Sequence, residues 1–265
     1  MVNPVKKLFE LCGVEVRLRR NVASAREAEK RRAGMKRWTA LSRYQPRTIL
    51  DIGANEGQFA RIAREVCPQA AVICFEPLAD CYAAVQAGVG QDSQVTALQY
   101  ALGSENGATT IHRSEFSPSS SLLPMGELHQ REFPHTAETF EETIQVRRLD
   151  DVASDLELAS PMIAKIDVQG FECEVLDGGR ETFRGCAALI VELSCYALYE
   201  GQPLFDDVYA RLKELGFDYR GNIDQLLSPQ DGRILQCDGL FENRRFHAAV
   251  NGTESPHAAV VSGTV

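Results

Sequence analysis

The nine residues Ile49-Leu50-Asp51-Ile52-Gly53-Ala54-Asn55-Glu56-Gly57 constrain this chain more than any other stretch. Thr48 to Ile52 is a short apolar run with β-branched members, which predicts a buried strand. The run breaks at Gly53, and Phe59, Ile62, Ala63 and Val66 then recur at helical spacing. The unit is therefore strand, glycine turn, helix. Such a unit is expected to present free backbone N–H groups and a positive helix end at the carboxyl edge of a sheet. Gly53 allows the turn and close approach of a ligand, and Gly57 allows the helix to pack near the strand.

The residues between the glycines narrow the ligand. A dinucleotide fingerprint needs glycines at 53, 55 and 58, and Asn55 and Gln58 occupy the last two. What stands here is Asp-x-Gly-x-x-x-Gly (Asp51, Gly53, Gly57), with a carboxylate at the strand's end. That charge repels a pyrophosphate and suits a cationic nucleoside. S-adenosylmethionine, with its sulfonium, ammonium and ribose hydroxyls, fits, and the stretch looks like motif I of Rossmann-like methyltransferases.

With 265 residues, 44% of them hydrophobic and 25% charged, the chain can build one large α/β domain with an appendage. No apolar run reaches the roughly 20 residues of a membrane span. The first residues lack the apolar core of a signal peptide, so a cytoplasmic protein is expected. The eight cysteines form no Cys-x-x-Cys pair and the five histidines are dispersed, which reads as reduced core thiols and no metal site. Charge is uneven: residues 1–47 hold 13 Lys/Arg against 4 Asp/Glu, while the whole chain carries −9. A basic arm on an acidic body points to an anionic surface or to homo-oligomer formation.

In chain order, Ser24 with Glu27 makes a capping box for a helix to about Tyr44, whose Met35, Trp38, Leu41 and Tyr44 repeat every third residue. Ala71–Phe75 is a second strand ending in Glu76-Pro77, and a helix follows to Gln86. Glu76 lies where nucleoside-binding folds place an acid on the ribose. Val95–Leu102 is a third strand, with Tyr100, Ala101 and Leu102 suited to an adenine face. Residues 104–148 read as an irregular insert or lid, with a strand over Gly107 to His112 at most, and they carry His129 and His135 as further proton acceptors. Met162–Val168 is the fourth strand. Its Lys165 needs a partner, with Asp51 and Glu192 in reach, and its Asp167 lies at the ligand-collecting edge. Ala188–Leu193 is the fifth strand and carries Glu192. A helix over Asp206–Leu215 and strands over Phe217–Arg220 and Ile234–Phe241 complete the sheet. The expected division is a basic helical extension (1–47), a ligand-holding domain (48–246) and a disordered tail (247–265).

Asp51-Ile-Gly53-Ala-Asn55-Glu-Gly57, Phe75-Glu76-Pro77, Ala101-Leu102-Gly103, Leu149-Asp150-Asp151, Lys165-Ile-Asp167-Val-Gln-Gly170-Phe-Glu172 and Cys237-Asp238-Gly239-Leu240-Phe241 together resemble the FkbM family of S-adenosylmethionine-dependent methyltransferases. The likeness covers about residues 48–245. It implies a class I methyltransferase fold: a mostly parallel seven-stranded sheet with helices on both faces and an antiparallel last strand. It also implies O-methylation of a hydroxyl on a sugar or natural product. By that analogy Asp51, Gly53, Ala54, Asn55 and Gly57 meet the methionine end of the cofactor. Glu76 with Pro77 meets the ribose, and Tyr100, Ala101 and Leu102 the adenine. Asp167 is the first candidate for the base that takes the acceptor proton, with a cofactor contact as its other role, and Glu192 is the second. Where the family usually carries an acid before Gly170, this chain has Gln169.

Two other readings stay open at this stage: an NAD(P)-dependent oxidoreductase or epimerase, and a non-catalytic cofactor-binding scaffold. A nucleic-acid methyltransferase is disfavoured by the acidic body, which would repel phosphates.

Overall fold

The computed structural model describes residues 35–246. Contacts divide the chain into Met1–Ala40 and Leu41–Val265. The second unit is built on a seven-stranded sheet in the order β3-β2-β1-β7-β8-β10-β9. Its strands are β1 (Thr48–Ile52), β2 (Ala71–Phe75), β3 (Val95–Leu98), β7 (Met162–Ile166), β8 (Cys186–Ser194), β9 (Phe217–Leu227) and β10 (Ile234–Asn243). The first five of these pair in parallel, and β10 runs antiparallel to both β8 and β9. The sheet is the mostly parallel one, with an antiparallel last strand, that the resemblance implies.

Alternation along β1 explains why its whole length is apolar or paired. Leu50 and Ile52 join Val175, Leu176, Val208 and Leu212 in one core cluster. The last four belong to α4 (Glu172–Gly178) and α5 (Phe205–Leu215). Ile49 and Asp51 then face the other way, toward α1 (Gln58–Val66), whose Phe59 ring lies under Lys165. Helices thus cover both faces, as a buried parallel sheet requires. Between β1 and β7 the strand order reverses, which makes their carboxyl ends the topological switch point where ligands of open α/β sheets bind.

Three sequence expectations change. The third strand ends at Leu98, and Ala101–Leu102 forms a separate short strand, β4, in a second sheet of order β4-β6-β5. The stretch 104–148 is ordered rather than irregular. It holds β5 (Gly107–Ser114) and β6 (Thr139–Arg147), an antiparallel pair, and a short helix α3 (Glu127–Glu132). Most residues of both strands face solvent, so the apolar alternation that marks a strand is reduced to Ile111, Ile144 and Val146. Ile111 and Ile144 cluster with Leu78 and Cys81 beside α2 (Ala79–Ala87), and that contact attaches the second sheet. Finally, β9 continues through Gly221, Asn222 and Asp224 to Leu227, tolerated by irregular pairing with β10.

The helix read over Ser24–Tyr44 lies outside the described residues up to 34. Its end is a 3-10 helix, Arg37–Tyr44. Three residues per turn stack positions three apart, which accounts for the every-third-residue pattern, and Leu41 and Tyr44 are buried. The tail reading for 247–265 also falls outside the described residues. Cys67, Cys74, Cys81, Cys173, Cys186 and Cys237 are buried free thiols, and Cys195 is exposed.

Candidate active site

The elbow after β1 is built for close approach of two strand ends. Gly53 has φ +82°, and a Cβ there would lie 1.9 Å from the Asp167 carbonyl oxygen. Only glycine lets the ends of β1 and β7 meet, and the Asp167 N–H donates to the Ile52 carbonyl at 3.0 Å. Asn55 takes φ +47°, eased because its own Oδ1 accepts the Glu56 N–H at 2.7 Å.

The expected free N–H groups are not there. The Gly53 and Ala54 N–H groups both donate to the Phe75 carbonyl at 3.0 Å, and Gly57 donates to Ala54. The Asn55 N–H donates to Glu76 Oε2 at 2.8 Å. Every backbone donor from Gly53 to Gly57 is thus spent inside the protein. The elbow itself offers an anion no free backbone donor.

Carboxylates supply the polar edge instead. Glu76, 6% exposed, accepts from Asn55 and, through Oε1, from the Leu78 N–H at 2.9 Å. Burial pushes its pKa up to about 7 against the pull of those two bonds. One residue past β7, Asp167 accepts from Lys165 Nζ at 2.6 Å. Burial opposes ionisation of Asp167, yet the Lys165 ammonium and the hydrogen bonds hold its carboxyl below the ordinary range. Lys165 remains charged despite burial because Asp167, Asp238 and Asp51 surround it. Asp51 is its cross-strand partner in register, but Oδ2 of Asp51 has no hydrogen-bond partner, and burial raises its pKa to about 6.

Gln169, which the sequence reading gave no role, organises the edge. Its φ of +53° turns the side chain back so that Nε2 donates to Asp167 Oδ1 and to Glu192 Oε2, each at 2.8 Å. The amide's two hydrogens therefore go to two different carboxyls. Its Oε1 accepts the Tyr199 hydroxyl at 3.0 Å, and its carbonyl accepts Ser121 Oγ at 2.6 Å. Glu172 steadies the same loop by accepting the N–H groups of Val168 and Gly170. Burial, with Asp167, Glu172 and Asp238 nearby, raises the Glu192 carboxyl well above the ordinary glutamate range. The two candidate bases therefore differ in kind. Asp167 is ion-paired and a weak base, whereas Glu192 is poised to hold a proton.

A cavity of about 380 Å3 opens over this edge, within the range of small-molecule sites. Of the residues predicted to touch a cofactor, Gly53, Asn55, Glu76, Pro77, Ala101, Leu102 and Asp167 line it, and Glu192 lines it too. Asp51, Ala54, Gly57 and Tyr100 do not. Asp51 faces Lys165, Gly57 precedes α1 with its φ of +79°, and the Tyr100 ring packs on Phe75 at 5.8 Å. The Ala54 side chain is buried behind the elbow. Among the described residues that line the cavity there is no lysine or arginine, against the three carboxyls of Glu76, Asp167 and Glu192. His129, His135, Phe116, Phe133, Leu226 and Gln236 line it as well.

The sequence model of the methyltransferase FkbM domain matches residues 51–219, from the elbow through β8 and into β9. The chain belongs to the FkbM methyltransferase family. This FkbM chain is 32% identical over 161 residues to the 2-O-methyltransferase NoeI of Sinorhizobium fredii, a match covering 58% of it and 66% of that protein. It is 27% identical over 194 residues to the methyltransferase sdnD of Sordaria araneosa, covering 64% and 73%. Among solved structures, an FkbM methyltransferase from Methylobacillus flagellatus aligns with a TM-score of 0.46 at 16% identity, covering 75% of this chain and 44% of that one. The chain thus spans 66% of the length of NoeI.

Proposed function

We propose that this FkbM chain uses S-adenosylmethionine to methylate a hydroxyl of a small molecule, a sugar or another natural product. One observation carries the reading: at the switch point every elbow N–H is already used, and the charged residues lining the cavity are the acids Glu76, Asp167 and Glu192, with no lysine or arginine among the described lining residues. A dinucleotide pyrophosphate needs the opposite arrangement. A sulfonium nucleoside needs this one. The curated relatives named as methyltransferases, NoeI a 2-O-methyltransferase, support the same reaction class.

Glu76, fixed by two backbone N–H groups, has lone pairs left for ribose hydroxyls, and Ala101 and Leu102 offer the adenine an apolar face. The cofactor supplies an activated methyl, so the protein's own tasks are alignment, exclusion of water and removal of the acceptor proton. Glu192 takes that proton. A cation bound nearby favours its ionised form, so the base forms as the site fills. Asp167, pinned by Lys165 and Gln169, orients the cofactor and shares the Gln169 amide with Glu192.

Calorimetry with S-adenosylmethionine and with NADH separates the readings, since only the former should release heat. Glu192→Gln should keep the affinity for S-adenosylmethionine and lower turnover by about 100-fold or more. A Glu192→Gln enzyme at the wild-type rate would remove Glu192 as the base. Cofactor binding with no turnover on any acceptor would favour the scaffold. Buried free thiols suit a reducing compartment, the cytoplasm. No helix among the described residues is long and apolar enough to cross a membrane.

A further inference from the structure

We infer that the part of the cavity lined by His129 is the acceptor site, that it takes an uncharged alcohol, and that the His129 imidazole holds the acceptor hydroxyl. The inference rests on the methyl-transfer reading and adds the chemical class of the acceptor and the residue that grips it.

His129 lines the cavity, is 4% exposed, and has no hydrogen-bond partner at either Nδ1 or Nε2. Buried polar atoms are almost always paired, so two orphan nitrogens on one ring facing a cavity mark a place for a ligand's polar group. The ring is held from both sides, edge-on to Phe133 at 5.4 Å and to Tyr199 at 5.2 Å. Its helix, α3, is fastened one turn further on. Glu132, itself 4% exposed, accepts from Ser228 Oγ at 2.7 Å and from Arg233 at 2.9 Å in the β9–β10 turn. His129 is therefore fixed in place before any ligand arrives.

Charge selects the ligand. Burial, with His135 beside it, lowers the His129 pKa to about 4, so the ring is neutral in the cell. A neutral imidazole has one donor and one acceptor nitrogen, the same pair of roles that a hydroxyl carries. A phosphate or carboxylate on the acceptor would meet no lysine or arginine among the described lining residues, and would share the cavity with the acids Glu76, Asp167 and Glu192. Phe116, Phe133 and Leu226 offer it apolar walls instead. Tyr199 links the two halves of the chemistry, since it packs on His129 and donates to the Gln169 amide that bridges Asp167 and Glu192.

The test gives the full-length protein methyl-labelled S-adenosylmethionine and a panel of methyl and phenyl glycosides, each beside its phosphate-ester counterpart. Label should enter members of the neutral set, with kcat/KM for each charged counterpart lower by about 10-fold or more. On the best neutral member, His129→Phe and His129→Leu should lower kcat/KM by about 10-fold or more, chiefly through KM. His129→Gln, which keeps a donor and an acceptor, should recover part of the loss. Affinity for S-adenosylhomocysteine should stay within about twofold in all three, because a hydrogen bond to the acceptor alone contributes nothing to it. Label entering phosphate esters as readily as neutral glycosides overturns the inference. So does a His129→Leu enzyme with wild-type KM, or a protein that binds the cofactor yet labels no neutral glycoside. Failure of the wild type to bind S-adenosylmethionine or S-adenosylhomocysteine overturns the methyl-transfer reading instead.

Discussion

Removing the Lys165 charge is the sharpest test of how the acidic edge is held together. Lys165 Nζ lies 2.6 Å from Asp167 Oδ2, with the lysine side chain 9% and the aspartate 29% exposed. At an effective dielectric near 20, two unit charges at that distance attract by about 6 kcal/mol before desolvation is subtracted. Desolvation removes much of this, but losing one member of a buried pair still costs about 3–5 kcal/mol, because the other charge is stranded. The partial exposure of Asp167 brings Lys165→Met just below that range, to about 2–3 kcal/mol. Asp167→Asn strands Lys165 less, since Asp51 is its register neighbour and Asp238 also lies close. The double variant Lys165→Met/Asp167→Asn should therefore cost less than the two singles together, with a coupling of about 2 kcal/mol. Urea denaturation at pH 7.5 measures all four proteins, provided the slopes agree. Acid adds a second readout. Asp51 has a folded pKa raised to about 6 from an ordinary 3.8, so its stabilising contribution is full below that lower value and fades as pH rises through about 6. Without Lys165, which pulls Asp51 downward, that window moves up. The deficit of Lys165→Met should therefore shrink between pH 7.5 and 5. A coupling below about 0.5 kcal/mol, or a deficit that grows with acid, would refute the reasoning.

Gly53→Ala must push a Cβ into the Asp167 carbonyl at a φ of +82°, so a loss of about 3 kcal/mol or more is expected. Calorimetry should show a Tm lower by about 6 °C or more, and an unchanged Tm would mean that the two strand ends do not meet as described. Glu76→Gln turns an amide toward one of the two N–H groups that the carboxylate now accepts, and it removes a charged acceptor from the ribose. Affinity for S-adenosylhomocysteine should fall by about 10-fold or more by isothermal titration. Because the Glu76 pKa is raised to about 7, wild-type affinity for the cationic S-adenosylmethionine should also weaken between pH 8 and pH 6 as the carboxyl takes a proton. An affinity flat across that range would argue that Glu76 does not face the cofactor.

Much of the site is legible one segment at a time. The strand–elbow–helix unit at Thr48–Val66 and the acids that end up at strand tips, Glu76, Asp167 and Glu192, follow from local periodicity and from turn residues that few other amino acids can replace. Residue type at a strand end is local information, and so is the alternation that decides which face a side chain takes. The remainder depends on distance along the chain. Gln169 meets Tyr199 across 30 residues, and Ser121 reaches it across 48. The Gly53 and Ala54 donors are used up by a carbonyl on β2, so the elbow's lack of a free N–H is invisible until β2 is in place. Asp51, an acid near a strand end like Asp167, does not line the cavity, and its register neighbour on β7 is Lys165. The second sheet hides for another reason: its strands bury so few side chains that hydrophobic patterning barely marks them. Sequence alone determined which chemical groups reach the carboxyl edge of the sheet. Tertiary structure decided which of them are charged, which are already engaged and which remain for a ligand, because burial and pairing are properties of the assembled neighbourhood.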